Sequence, residues 1–396
     1  MTVVRRARLP GRDGQWDVTV ADGLISAVSP SVAGFAGPAG PSDIDADGRA
    51  VIPGLVDAHV HLDKAYLLDA LGPGAHADGL AGAIAATRAL RPTLTAADTE
   101  RGMRRVLAGM VRDGTAAARV HVEIDPSVDP ATVRLHRHVA SDHPAVLTQL
   151  VAFPQNGTSH DTSMPGRLER ALDDGCTVVG GCPYADSDPA RHLDLVLALA
   201  RDRDLPVDLH LDLTDDPARS QLDLVLPRIE RFGLAGRVAV GHMTVLAGLP
   251  PPLLARRVRE LAALDVAVVA LPTTDLWLSG RGDGAPAVRG LAPLRALLAG
   301  GVRVALGTNN HQNAFTPVAA GGLLRVAWLA SLVAHLGSSA DHAALLAAVT
   351  TVPGELLGLG PWGVEVGSRA PLLVLSADDV LDAVREAPPI RHRTDA

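Results

Sequence analysis

Two histidines one residue apart, His59 and His61, end the apolar run Val51-Ile-Pro-Gly-Leu-Val-Asp-Ala-His-Val-His-Leu-Asp-Lys64. On a strand, positions i and i+2 share a face, so both imidazoles point the same way. A pair of neutral imidazole donors at the end of a buried strand suits one divalent metal, zinc or iron(II), with further ligands supplied by later strands. A bare His-x-His also fits two partly buried core histidines, so the rest of the chain must decide. Two more histidines occupy comparable places. His210 lies in Asp208-Leu-His-Leu-Asp212, where alternation puts Asp208, His210 and Asp212 on one face, and His242 follows Gly241 at the end of another apolar run. Lys64 is the single lysine among 36 basic residues. Lysine, unlike arginine, can release its proton in a protein, which makes Lys64 a candidate acid or base.

The elements that must position these residues follow from periodicity. Residues 2–30 alternate short β-type runs with Asp-Gly turns at 13 and 22, the pattern of hairpins in a small sheet. Residues 31–48 are rich in Gly, Pro, Ala and Ser and read as a loop or linker. From residue 55 the pattern becomes strand then helix, repeated. Strands are expected at 55–62, 117–124, 145–154, 176–180, 207–213, 237–242, 267–271 and 302–309, with helices between them. The helix from 95 to 114 carries a capping-box start at Thr95 and Asp98. Eight such units in order predict an α/β fold, a closed (β/α)8 TIM barrel, spanning 51–351. An open doubly wound sheet is disfavoured because no glycine-rich phosphate fingerprint follows the first strand. In a barrel the carboxyl ends of all strands meet at one mouth, which brings His59, His61, His210 and His242 together. Residues 321–337 and 341–349 read as helices, and 364–375 returns as β structure. That return completes a small β-sandwich domain from 1–50 and 352–396.

Composition bounds the function. An apolar content of 47% and a mean hydropathy of +0.19 fit a chain with a large core. A net charge of −8, with no arginine run longer than two, excludes nucleic acid as partner. Neither a secretory signal nor an uncharged apolar stretch long enough to span a bilayer is present, so no membrane partner is expected and the cytoplasm is the expected location. Cys176 and Cys182 are too few for a disulfide framework and read as reduced thiols. The expected partner is a small-molecule substrate.

The motifs together resemble the amidohydrolase superfamily, and within it the cytosine deaminase-like branch. The resemblance runs from about residue 18 to 380 and is carried by Val56-Asp-Ala-His-Val-His-Leu-Asp-Lys64, Arg119-Val-His-Val-Glu123, Leu150-Val-Ala-Phe-Pro-Gln155, Asp208-Leu-His210, Gly241-His242 and Leu278-Ser-Gly-Arg281. It implies a metal-dependent barrel with a small β-sandwich built from both chain ends, hydrolysing C–N bonds of cyclic amides, amidines and aminated heterocycles. His59, His61 and His210 are implied to be metal ligands, His242 to hydrogen-bond the attacking water, and Gln155 to hold a carbonyl or ring nitrogen of the substrate.

Two departures from that pattern matter. Where the family has a metal-binding aspartate after the eighth strand, this chain has Gly307-Thr308-Asn309-Asn310, and where a glutamate should shuttle protons after the fifth, it has Leu213. Asparagine is a weak ligand and no base at neutral pH, and leucine moves no proton. His311, Asp212, Asp215 and Lys64 are the candidates to replace the missing groups. Trp277 and the Leu278–Arg281 segment are expected to line the pocket, and Gln155, Asn309 and Asn310 offer it neutral amides. Three functions follow: a hydrolase with its metal on histidines, a repurposed barrel doing cyclisation, dehydration or isomerisation, and a catalytically silent small-molecule binder. The resemblance implies a further strand or two beyond residue 389, so an abbreviated sandwich is expected, and apolar surface exposed by that shortening would be covered in a homo-oligomer.

Overall fold

A computed structural model describes residues 1–32, 40, 42–72, 79–281, 290–369 and 371–394. Residues 33–39 and 41 of the expected linker therefore lie outside the described residues. Four strands, β1 (Thr2–Ala7), β2 (Trp16–Ala21), β3 (Leu24–Pro30) and β4 (Ile44–Asp45), form one small sheet in the order β3-β2-β1-β4. The β2–β3 hairpin turns through Asp22 and Gly23, both at positive φ, as a two-residue Asp-Gly turn requires. β5 (Val51–Pro53) belongs to a separate three-stranded sheet with two strands from the far end of the chain.

The barrel strands are β6 (Leu55–Val60), β7 (Thr115–Glu123), β8 (Leu147–Phe153), β9 (Val178–Gly181), β10 (Val207–Leu211), β11 (Val238–His242), β12 (Ala267–Ala270) and β13 (Val304–Leu306). They pair in sequence order, all parallel. A parallel bridge between Val60 and Asn309 joins the last strand to the first: the His61 amide donates to the Asn309 carbonyl, and the Asn309 amide donates to that of His59, both at 2.9 Å. A Cβ on Gly307 would lie 2.7 Å from the His59 carbonyl oxygen, so closure at this seam requires glycine. Most barrel strands are buried on both faces, by the interior on one side and helices on the other, which is why they read as apolar runs.

β14 (Leu372–Leu375) and β15 (Ile390–Arg393) complete the three-stranded sheet, packing Val51, Leu372 and Val374 against Val4, Val18 and Ile25 of the first sheet. This is the expected small sandwich from both ends. Its return strand is shorter than 364–375, because the described residues before 372 run through turns rather than a ladder. The capping box at Thr95 and Asp98 opens a helix over Ala96–Arg112, as expected. A helix over Gly79–Leu90 was not legible in the sequence, since its Gly- and Ala-rich run buries only Ala83 fully and shows a weak apolar stripe. The helix Thr351–Leu356 with Trp362 plugs the amino end of the barrel, where the Trp362 indole donates to the Gly54 carbonyl at 2.8 Å.

Candidate active site

His59 lies on β6 and His61 one residue past it, while His210 and His242 sit on β10 and β11; all four side chains are buried. The ligating nitrogens of His59, His61 and His210 fall within 4.8 Å of one another. The two Nε2 atoms of His61 and His210 face each other at 3.1 Å. That is close to the roughly 3.3 Å separation of two nitrogens held tetrahedrally at ~2.05 Å from one zinc. Both ring nitrogens of His59, and Nδ1 of His61 and of His210, have no hydrogen-bond partner among the described residues. Buried polar atoms seldom go without a partner, and a bound ion or ordered water would satisfy these. Burial first, and then the neighbouring histidines, joined by Lys64 at His59 and His61, hold all three imidazoles well below the ordinary histidine pKa. They are therefore neutral, the form that binds a metal. On burial, geometry and chemistry these residues fit a divalent ion.

Beneath them the barrel holds an ion-paired network. Asp208 accepts from Arg119 Nη1 at 2.9 Å, His121 Nε2 lies 3.1 Å from the same carboxylate, and His59 Nδ1 lies 3.9 Å from it. Arg119 also donates to Gln149 and to the Leu356 carbonyl, so its guanidinium is tied to the barrel plug. Burial pushes the Asp208 carboxyl up, but His121 and Arg119 outweigh it and hold the group below the usual carboxylate range. A carboxylate here orients the imidazoles above it. His59, His121 and Asp208 also converge within 4.8 Å, yet the Arg119 charge beside Asp208 opposes a dication at that depth.

The cavity at the mouth is small and opens to solvent, with about 390 Å³ of space counted together with its opening. Phe153, Phe315, Tyr184, Leu213 and Leu278 give it apolar walls, and Leu80 and Ile84 of the Gly79–Leu90 helix close over it. Its polar side carries Lys64, Gln155, Asn309 and Asn310. The buried Lys64 ammonium donates to Gln155 Oε1 and lies 4.0 Å from Glu123, which is itself paired with Arg91. Burial pushes the Lys64 pKa down to about 8.

His242 borders the cavity at φ +73, a left-handed backbone uncommon for a non-glycine residue and typical of functional strain. Its Nδ1 sits 2.7 Å from Asp275 Oδ1, and the other Asp275 oxygen accepts from the Leu271 amide at 3.1 Å. Burial raises the Asp275 pKa, while His242 counters it. With Nδ1 donating to Asp275, His242 presents Nε2 to the cavity as a proton acceptor.

Four expected residues sit elsewhere. β10 ends at Leu211, and Asp212 adopts φ +53, which breaks the alternation that put it on the face of Asp208 and His210. Its carboxylate is engaged by the Ser220 hydroxyl at 2.7 Å and the Gln221 amide at 2.8 Å, and it does not line the cavity. His311 lies behind the wall, its Nε2 3.2 Å from Thr308 Oγ1, and burial alone brings its pKa to about 4. Thr308 in turn donates to Asp57, a carboxyl that burial raises to about 6. Trp277 packs against the apolar cluster of Leu213, Leu278 and Phe315 and under the Arg281 guanidinium, 4.7 Å from its ring centre, rather than lining the cavity. Asp215 accepts from the Gly280 amide at 2.8 Å and also lies outside the cavity lining. Asp275 was missed: it follows β12 within a helix, Pro272–Leu278, and its only signal was an acid next to an apolar strand end. Asn313 was missed for the same reason, being visible only through its contacts.

A family model described as the amidohydrolase family matches residues 85–391. Pterin deaminase from Rhizobium rhizogenes is 30% identical over 91% of this chain and 82% of its own length. N-isopropylammelide isopropyl amidohydrolase from Pseudomonas sp. is 24% identical over 95% of this chain and 91% of its own. Among solved structures, 5-methylcytosine deaminase from Klebsiella pneumoniae bound to phosphonocytosine superposes with a TM-score of 0.91 at 25% identity, covering 99% of this chain and 96% of that one. The chain belongs to the amidohydrolase family, hydrolases of C–N bonds other than peptide bonds, in its cytosine deaminase-like branch.

Proposed function

We propose that the protein hydrolyses a C–N bond in a small polar cyclic amide, amidine or aminated heterocycle, with His59, His61 and His210 holding one divalent metal, zinc or iron. The observation that carries this reading is the convergence of neutral, buried imidazoles, several of their ring nitrogens without a partner among the described residues, at the floor of the mouth cavity. What the ion would supply is Lewis acidity, which eases loss of a proton from water and polarises the bond under attack. The remaining steps belong to side chains. The apolar walls exclude water and hold a flat ring, while Gln155 and Lys64 grip its polar edge. Proton transfer, which neither Asn309 nor Leu213 can perform, falls to His242. Its Nε2 takes the proton from the attacking water and returns it to the leaving nitrogen, and Asp275 holds the ring in the tautomer this requires. Asp212 and His311 have no part in this scheme, because their polar atoms are committed outside the cavity.

Protein purified without added metal is expected to carry about one divalent ion per chain by elemental analysis, and His59→Ala to carry none. Zinc-loaded protein is expected to open cyclic amides or release ammonia from aminated pyrimidines. Absence of stoichiometric metal from the unsubstituted protein, even after zinc supplementation, would falsify the metal assignment. The same two substitutions, Asn309 and Leu213, favour a second reading in which the barrel performs a cyclisation, dehydration or isomerisation. A product lacking oxygen from 18O-labelled water would select it.

A further inference from the structure

Resting on that reading of the site, we infer that the cavity selects its ring by hydrogen-bond acceptors, because Asn309 is locked to present its NH2 group beside two other donors. The lock is a ladder of three amides. Asn313 Oδ1 accepts the backbone amides of Phe315 at 2.9 Å and Thr316 at 3.2 Å. Backbone N–H groups only donate, so the atom facing them is oxygen. Asn313 Nδ2 then faces the Lys64 carbonyl at 3.1 Å and Asn310 at 2.8 Å. A carbonyl only accepts, which fixes the same orientation a second time. Asn310 must therefore turn its oxygen to Asn313, and its Nδ2 donates onward to Asn309 Oδ1 at 2.9 Å. With its oxygen end turned to Asn310, Asn309 has its Nδ2 end left for the cavity it lines. All three side chains are buried, and Asn309 holds φ +58, a backbone that asparagine tolerates well.

The second amide is fixed in the same way. Lysine has no acceptor, so the Gln155 atom that meets Lys64 Nζ is oxygen, and Gln155 is left with Nε2 for the cavity. Lys64, Gln155 and Asn309 thus bring a cation and two amide donors to the wall, Thr274 and Tyr184 add hydroxyls that can donate or accept, and Leu213 adds no acceptor. A ring rich in exocyclic amines would leave donors facing donors, which costs unpaired buried groups. The complementary ligand is an oxo-substituted ring that turns carbonyl oxygens to these donors, the chemistry of cyclic imides and ureides.

The matched probes are barbituric acid and 2,4,6-triaminopyrimidine, the same ring with every exocyclic oxygen exchanged for an amine. Binding is measured by calorimetry on EDTA-treated protein, where neither metal nor turnover contributes. The unsubstituted chain is expected to bind barbiturate at least about tenfold more tightly. Asn313→Asp removes the anchoring donor without touching the cavity: Asn310 must then donate to residue 313, Asn309 donates to Asn310, and Asn309 turns its oxygen to the ligand. The barbiturate preference is expected to fall by about tenfold or to reverse. Should that variant not fold, Asn309→Asp, which keeps the acceptor toward Asn310 and replaces the NH2 group by oxygen, is expected to give the same reversal. Equal or tighter binding of triaminopyrimidine by the unsubstituted chain, binding of neither probe, or an unchanged preference in the folded variant overturns the inference. Failure of the metal assignment leaves this preference intact, and failure of the preference leaves the metal content intact.

Discussion

Asp275→Asn exchanges one oxygen for a nitrogen and is expected to reverse the proton on His242. In the native site the Asp275 oxygens serve two donors, His242 Nδ1 at 2.7 Å and the Leu271 amide at 3.1 Å. An asparagine retains one acceptor. The Leu271 N–H is fixed in the backbone and can only donate, so it keeps the oxygen, and the new NH2 group faces His242 Nδ1. The imidazole must then shed its Nδ1 proton and carry it on Nε2, which removes the lone pair that the cavity needs for a base. Loss of general acid-base help is worth about 100- to 10,000-fold in rate, or about 3 to 5 kcal/mol of barrier. The shape is conserved and His242 is outside the metal set, so metal content should not change and the unfolding midpoint should move little. Side-chain 15N spectra of histidine-labelled protein report the tautomer without a substrate: Nδ1–H in the native chain, Nε2–H in the variant. The same tautomer in both proteins, or a variant whose kcat/KM stays within threefold of native, would refute the role given to Asp275.

Burial of Lys64 should be visible in stability. Its folded pKa of about 8 lies below the ordinary value of 10.5, so the native state carries a charge penalty that is full below pH 8 and is relieved as pH rises from 8 to 10.5. The difference in unfolding free energy between metal-free native protein and Lys64→Met should therefore shift in favour of the native chain by up to about 3 kcal/mol across that range, measured by urea titration; parallel pH profiles would contradict it. Arg119→Met leaves the Asp208 carboxylate without its closest counter-charge at a site of no solvent exposure. A loss of about 3 to 5 kcal/mol in chemical unfolding is expected, with much of it recovered by adding Asp208→Asn. A loss under about 1 kcal/mol in the single variant would show that the pair does not hold the barrel floor.

What the sequence alone determined was the part governed by short-range pattern. Apolar runs of strand length, separated by helical periodicity and a capping box at Thr95, dictate eight parallel units, and parallel units of this number close into a barrel. Strand-end position then placed His59, His61, His210 and His242 at one mouth, because closure maps every carboxyl end onto the same rim. Tertiary structure decided what each polar atom faces. A single left-handed residue turned Asp212 out of the face that period-two alternation assigned to it, and packing drew Trp277 and His311 behind the wall. Asp275 meets His242 across a separation of 33 positions in the chain, and only the contact reveals that the pair can hold a proton. The direction of the Asn309 amide is likewise not written at position 309. Its two ends are nearly the same shape, so the choice between donor and acceptor is made by the backbone amides of Phe315 and Thr316 and passed through Asn313 and Asn310.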